Sequence, residues 1–276
     1  MNIPEVLRQN NFKFNKSLGQ NFITDTNLLS AIVSDSGVGP DDTVIEIGTG
    51  AGTLTACLAR AVRFVYTFEI DEKLKPVLET TLGNLGNVKT IFLNILDLND
   101  AEIFERIGQG PFSVVANIPY YITSPLIMRF LESGLNIKSV TVMTAFEVAK
   151  RITARPGTKD YSALTAAVNL YGNARILRNV SKKMFYPMPE VDSAVIRIDI
   201  LKDKFDCDKS AVLTVIKAAF SARRKTLQNN LSAYFKMEKE KAREILNSAG
   251  LSENVRGEEL GVNEYIKISK EVNKSK

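Results

Sequence analysis

Val44-Ile45-Glu46-Ile47-Gly48-Thr49-Gly50-Ala51-Gly52 reads as a short apolar strand that runs into a glycine-rich turn and then a helix. Glycines in such a turn let the backbone bend tightly and let a ligand approach with no Cβ in the way. A dinucleotide fingerprint has the spacing G-x-G-x-x-G, and here the third glycine comes one residue early. Working outward, strands are predicted at Thr43–Ile47, Phe64–Phe68, Val88–Leu93, Phe112–Ala116 and Val140–Met143. Helices are predicted at Gly52–Ala61, Glu72–Leu82 and Thr123–Leu131, after an earlier one over Asn27–Val33 capped by Asp25 or Thr26. This alternation implies an α/β fold with a doubly wound, mainly parallel sheet. Residues 1–20 read as polar and irregular. Leu164–Tyr171, Ala174–Val180 and Ala194–Ile200 read as extended, with a turn at Gly172-Asn173, and would complete the sheet with antiparallel strands at one edge.

After Lys202-Asp203-Lys204 the pattern changes. Ser210–Phe220, Leu227–Phe235 and Lys239–Ser248 carry helical periodicity with no strand among them. A boundary near residue 201 therefore separates an α/β domain over 1–200 from a small helical domain over 201–276.

The 276 residues suffice for one large domain and a smaller one. No apolar run approaches the roughly 20 residues that span a bilayer, and the N-terminus lacks a signal-peptide core. Cys57 and Cys207 form no framework and no metal spacing, so the expected compartment is a reducing cytoplasm. Histidine is absent altogether, which excludes Ser-His-Asp and Cys-His triads and argues against a zinc site; no metal is expected. The net charge of +5 is uneven: residues 201–276 carry 16 Lys+Arg against 11 Asp+Glu, whereas 1–200 are balanced at 20 each. Basic segregation of this kind points toward a polyanion.

Three strand ends carry candidate chemistry. At Phe68-Glu69-Ile70-Asp71 a carboxylate ends the strand after the glycine turn, where it can accept hydrogen bonds from ribose hydroxyls. Asn94, in Leu93-Asn94-Ile95-Leu96-Asp97, can meet the edge of an adenine. Asn117-Ile118-Pro119-Tyr120 follows the apolar run Phe112–Ala116 and sets a side-chain carbonyl, a main-chain carbonyl and an aromatic face side by side. Two acceptors beside a stacking surface suit a planar ring bearing an exocyclic NH2.

With these pieces stand Ser17-Leu18-Gly19-Gln20-Asn21-Phe22, Tyr121-Ile122-Thr123-Ser124-Pro125 directly after Tyr120, and Glu147-Val148-Ala149-Lys150-Arg151. Further on come Arg155-Pro156-Gly157-Thr158-Lys159-Asp160-Tyr161, Phe185-Tyr186-Pro187-Met188-Pro189-Glu190-Val191-Asp192-Ser193 and Ala219-Phe220-Ser221-Ala222-Arg223-Arg224-Lys225-Thr226-Leu227. In this order, over nearly the whole chain, they resemble the KsgA/RsmA-type rRNA adenine N6-dimethyltransferases, which have the class I, Rossmann-like methyltransferase fold. The resemblance implies S-adenosylmethionine as cofactor and dimethylation of two adjacent adenines near the 3′ end of 16S rRNA in the small ribosomal subunit. It implies that Asn21 and Ile23 cover the cofactor, that Gly48 and Gly50 contact it at the turn, and that Glu69 holds its ribose. Asn94 stands where the family usually has an aspartate, an acceptor without the charge. Phe146 and Ser162 also depart from the family pattern.

By the same resemblance Asn117 stands between cofactor and substrate base and contacts both; it and the Ile118 carbonyl accept the target amine, and Tyr120 and Phe185 flank its ring. Lys217, Arg223, Arg224 and Lys225 then contact RNA phosphates. A monomeric cytoplasmic enzyme with no membrane partner is expected. Two rival readings are a large-subunit rRNA methyltransferase of the macrolide-resistance type and a non-catalytic ribosome-assembly factor. An NAD-dependent oxidoreductase is disfavoured by the glycine spacing.

Overall fold

The computed structural model describes residues 3–15, 18–201 and 203–274. Ser17 of the N-terminal motif and Lys202 at the expected boundary lie outside the described residues. The chain opens with α1 (Ile3–Gln9), whose Ile3, Val6 and Leu7 recur at helical spacing and are buried. This corrects the expectation of an irregular N-terminus. So short a helix is marginal alone and is held by packing, here in one apolar cluster with Phe22, Leu74, Val77 and Leu78.

After β1 (Phe22–Ile23) comes α2 (Thr26–Asp35), capped by the Asp25 carboxylate, which accepts from the Asn27 and Leu28 N–H groups. Then follow β2 (Thr43–Ile47), α3 (Thr53–Ala59), β3 (Phe64–Glu69), α4 (Lys75–Leu82), β4 (Val88–Phe92), α5 (Asp100–Ile107), β5 (Phe112–Asn117), α6 (Thr123–Leu131) and β6 (Ile137–Ala145). Helix α5 is absent from the sequence reading, although Asn99 and Glu102 form a capping box at its start.

Next come α7 (Phe146–Ile152), α8 (Ala163–Tyr171), β7 (Gly172–Val180), β8 (Phe185–Tyr186) and β9 (Ser193–Ile200). The expected strand at Leu164–Tyr171 is thus a helix. Ser162 supplies the reason: its hydroxyl accepts from the Thr165 N–H, and Thr165 answers at the Ser162 N–H, so the segment starts with both ends of a cap satisfied. Ser162 also needs no glycine-like conformation, since its φ is −147°. Gly172 is correspondingly no turn; it closes α8 and opens β7 with extended backbone.

The main sheet has the order β4-β3-β2-β5-β6-β9-β7. Strands β4 to β6 run parallel, and β9 is antiparallel to β6. The chain winds outward from β2 through β3 and β4, then returns to β5 on the other side. The carboxyl ends of β2 and β5 therefore meet at a topological switch point, where α/β sheets bind ligands. A separate two-stranded ribbon pairs β1 with β8, Phe22 opposite Tyr186 and Ile23 opposite Phe185.

The backbone divides into two compact units. One comprises the described residues up to Ala149 with Arg175–Ile200, and the other comprises Lys150–Ala174 with the described residues after Ile200. Lys150–Ala174 thus belongs with the helical unit, whereas the sequence reading placed it in the α/β domain. In that second unit α9 (Lys209–Ala219), α10 (Leu227–Phe235), α11 (Lys239–Ser248) and α12 (Val262–Lys274) pack together with α8. Helix α12 also goes unread in the sequence, though Val262, Tyr265, Ile268 and Val272 are spaced for one buried face.

Candidate active site

Three loops at the carboxyl edge of the first unit's sheet and the N-terminal strap of residues 18–23 enclose a cavity of about 220 Å³. It is lined by Asn21, Ile23, Gly48, Gly50, Glu69 and Asn94, and by Asn117, Ile118, Tyr120 and Phe185. Every residue expected to meet cofactor or target base thus faces one space. Gln20 and Tyr121 also line it and were missed as site residues; Gln20 was legible only as a polar neighbour of Asn21.

The turn after β2 is built for close approach. Gly48 and Gly50 have φ of 77° and 56°, a region that penalises a Cβ. A Cβ on Gly50 would also stand 2.9 Å from Cε1 of Phe22, whose ring lies over that backbone. The Gly48 N–H donates to the Phe68 carbonyl at 2.8 Å, fastening the turn to the end of β3.

Glu69 is buried and held by three backbone donors: Gly50 N–H at 2.9 Å, Ile70 N–H at 2.8 Å and Asp71 N–H at 2.9 Å. Burial pushes its carboxyl above the ordinary glutamate range, and the backbone donors oppose that rise. A carboxylate offers about four acceptor positions and three are taken, so one remains for a ribose hydroxyl. Glu46 lies deeper, fully buried, with its pKa pushed up to about 8 by burial. It supports the turn through Thr55 of α3 and carries no ligand-facing role here.

Asn94 caps a single turn over Ile95–Asp97. Its Oδ1 accepts from the Leu96 N–H at 3.2 Å and its Nδ2 donates to Asp97 at 3.0 Å. Both bonds agree on which side of the amide carries oxygen, and that oxygen retains a second lone pair.

Asn117 ends β5, and its Nδ2 donates to the Asn21 carbonyl at 3.2 Å. With the amide nitrogen committed to the strap, Oδ1 is left as the acceptor face. Tyr120 is half-buried, its hydroxyl 2.7 Å from that of Ser193 on β9, which anchors the far end of the ring. Phe185 is buried in a cluster with Ile23, Val115 and Val195 while one face lines the cavity. It serves as core and wall together.

Lys217, Arg223, Arg224 and Lys225 are elsewhere, exposed on the last turn of α9 and on the loop to α10 in the second unit. The Arg223 guanidinium donates to the Lys159 carbonyl, which joins the Arg155–Tyr161 stretch to this loop. Asn230, buried at the heart of α10, donates to the Ala219 and Ala222 carbonyls at 2.8 and 3.2 Å and holds the basic loop in shape.

A model of the ribosomal RNA adenine dimethylase family matches residues 11–274. The chain belongs to that family. Among its members, the "Ribosomal RNA small subunit methyltransferase A" of Alkaliphilus oremlandii is 44% identical over 265 residues, 95% of this chain and 92% of the relative. Proteins of the same name from Clostridioides difficile and Bacillus licheniformis are 40% and 42% identical, over 98% and 96% of this chain and 94% and 93% of theirs. Solved structures share the architecture. A dimethyladenosine transferase from Plasmodium falciparum superposes with a TM-score of 0.77 at 24% identity, over 92% of this chain and 98% of that one. A 23S rRNA methyltransferase, ErmE, gives 0.70 at 24%, over 91% and 99%. At that identity both likenesses speak for the fold alone. Among the described residues no helix is long and apolar enough to cross a membrane.

Proposed function

We propose that the chain binds S-adenosylmethionine in the cavity at the β2–β5 switch point and dimethylates N6 of two adjacent adenines near the 3′ end of 16S rRNA. The observation that carries this reading is the meeting, in one cavity, of the glycine turn and Glu69 with the Asn117–Tyr120 loop. The first pair suits an adenosine moiety and the second a planar ring with an exocyclic amine. Relatives at 40% identity or more bear small-subunit names, which favours 16S rRNA over the large-subunit substrate of ErmE.

When bound, S-adenosylmethionine would supply the methyl group from a sulfonium sulfur that departs with the bonding pair as a neutral thioether. The chain's residues prepare the nucleophile. The N6 lone pair of adenine is delocalised into the ring; accepting its two N–H bonds at Asn117 Oδ1 and the Ile118 carbonyl draws the nitrogen toward tetrahedral geometry and turns the lone pair to the methyl carbon. After transfer the surplus proton leaves the nitrogen to water. No histidine is required. Alignment of two reactants in this way lowers barriers by about 7–11 kcal/mol.

The base leaves its stack to reach the cavity, and Tyr120 and Phe185 take its two faces. The monomethylated amine must re-enter with one N–H fewer, so the second transfer uses a single acceptor bond. Lys217, Arg224 and Lys225 hold RNA phosphates, with Arg223 sharing its guanidinium with the Lys159 carbonyl. The enzyme works as a monomer in the cytoplasm, where its ribosomal substrate is assembled. Asn117→Ala tests the acceptor role: single-turnover transfer at saturating cofactor should fall by about a hundredfold or more, the scale of losing a preorganised polar contact at the reacting atom. Near wild-type turnover would refute it.

A further inference from the structure

We propose that Gln20 and Asp71 are positioning residues for methyl transfer. Their hydrogen bond fixes the strap whose Asn21 carbonyl turns the Asn117 amide to present oxygen to the amine. The proposal rests on the reading of cavity and cofactor given above.

Gln20 Nε2 donates to Asp71 Oδ2 at 2.8 Å, across 51 residues of sequence. Gln20 Oε1 accepts from the Asn15 N–H at 2.9 Å, so both ends of this amide are occupied and its nitrogen is the end that faces the carboxylate. Asp71 is 7% exposed. A carboxylate so buried is costly without donors, and it has two: Gln20 on Oδ2 and the Lys73 N–H on Oδ1 at 3.1 Å. Its own N–H holds Glu69. Asp71 thus joins three parts of the site: the cofactor-facing carboxylate, the turn after β3, and the strap.

The residue after Gln20 is Asn21, whose carbonyl receives Asn117 Nδ2 at 3.2 Å. An amide presents a donor edge and an acceptor edge, and half a turn about its last bond exchanges them. Without the Asn21 carbonyl in place, Asn117 is free to turn its NH2 toward the target amine, donor against donor. The strap is further pinned beyond this point. Phe22 and Ile23 send adjacent side chains into two different apolar clusters, one with α1 and α4, the other with α2, α3 and Phe185. On the other side of Asn21, the Gln20–Asp71 bond is the only polar side-chain tie among the described residues from the strap to the main sheet's edge besides Asn117 itself.

An exchange of charge tests the bond in the full-length protein. Gln20→Glu sets two carboxylates against each other. In the double variant with Asp71→Asn, the carboxylate introduced at 20 still accepts from the Asn15 N–H and gains a bond from the amide introduced at 71. The oxygen of that amide still caps the Lys73 N–H. S-Adenosylhomocysteine dissociation is followed by stopped flow, and single-turnover transfer is measured with saturating cofactor and unmethylated small subunits. Gln20→Glu should slow single-turnover transfer by about tenfold and speed S-adenosylhomocysteine loss, and the double variant should recover to within about twofold of wild type. Gln20→Ala, which only deletes the bond, should move both rates the same way by less, and serves if Gln20→Glu does not fold. A wild-type transfer rate in Gln20→Glu, or a double variant no faster than Gln20→Glu, would overturn the proposal. Failure of the wild-type protein to bind S-adenosylhomocysteine would instead overturn the cofactor reading beneath it.

Discussion

The Thr55 hydroxyl donates to Glu46 Oε2 at 2.6 Å, while Glu46 Oε1 has no hydrogen-bond partner among the described residues, although the residue is fully buried in β2. An ionised carboxylate in that position would be badly solvated, and burial accordingly pushes its pKa up to about 8. The folded protein therefore holds a proton that the unfolded chain releases near its ordinary value of 4.5. Stability from this site is fully present below the unfolded value and is lost as pH rises toward and through 8. Glu46→Gln, which mimics the protonated group, should flatten that decline and leave the variant more stable than wild type at pH 9. Urea melts at pH 5, 7 and 9 check this; parallel declines in the two proteins would contradict it.

Asn94 and Asp97 form a pair in which the amide nitrogen needs the carboxylate. Asn94→Asp alone would place two carboxylates about 3 Å apart, the present 3.0 Å separation of amide and carboxylate, so the charged acceptor it introduces should gain no cofactor affinity. Combined with Asp97→Asn it should tighten S-adenosylhomocysteine by about tenfold, the difference between a neutral and a charge-assisted hydrogen bond. Calorimetric titration reads both, and a gain in the single variant equal to that of the pair would refute the coupling.

Tyr120 contributes a ring face and a hydroxyl, and the two are separable. Tyr120→Phe keeps the face and loses the bond to Ser193, so transfer should fall by less than about tenfold. Tyr120→Ala loses the stack, about 1–3 kcal/mol per base, and kcat/KM for small subunits should fall by roughly ten- to a hundredfold. Equal losses in the two variants would assign the role to the hydroxyl instead.

Arg224 and Lys225 are exposed beside the cap of α10 and are free to meet phosphates. Replacing both by alanine should weaken subunit binding and lower the slope of log Kd against log salt by about 0.7–0.9 for each phosphate that is no longer neutralised. An unchanged slope would show that these charges face only solvent.

The parallel strands of the α/β unit were legible because each is a short apolar run bounded by glycine, proline or an acidic turn, and Gly48, Glu69, Asn94 and Asn117 follow or end such runs. The two-residue strands β1 and β8 were too short to read. What stayed hidden lay either in a local cap or in partners far away in sequence. The stretch Leu164–Tyr171 is apolar enough for a strand, and only the Ser162–Thr165 cap decides for a helix. Helix α1 needs the cluster of Leu74, Val77 and Leu78 to exist at all. Gln20 reads as one polar side chain in a polar segment; its meaning comes from Asp71, 51 residues on. The attachment of Lys150–Ala174 to the helical unit was equally unreadable, because chain order placed it among strands.

The most direct test is transfer of labelled methyl groups from S-adenosylmethionine to small ribosomal subunits that lack the modification, with large subunits in parallel and the products mapped by mass spectrometry. The account predicts two methyl groups on N6 of each of two adjacent adenines near the 3′ end of 16S rRNA, and none on the large subunit. Transfer confined to large-subunit RNA, or tight binding to small subunits with no transfer at all, would contradict it.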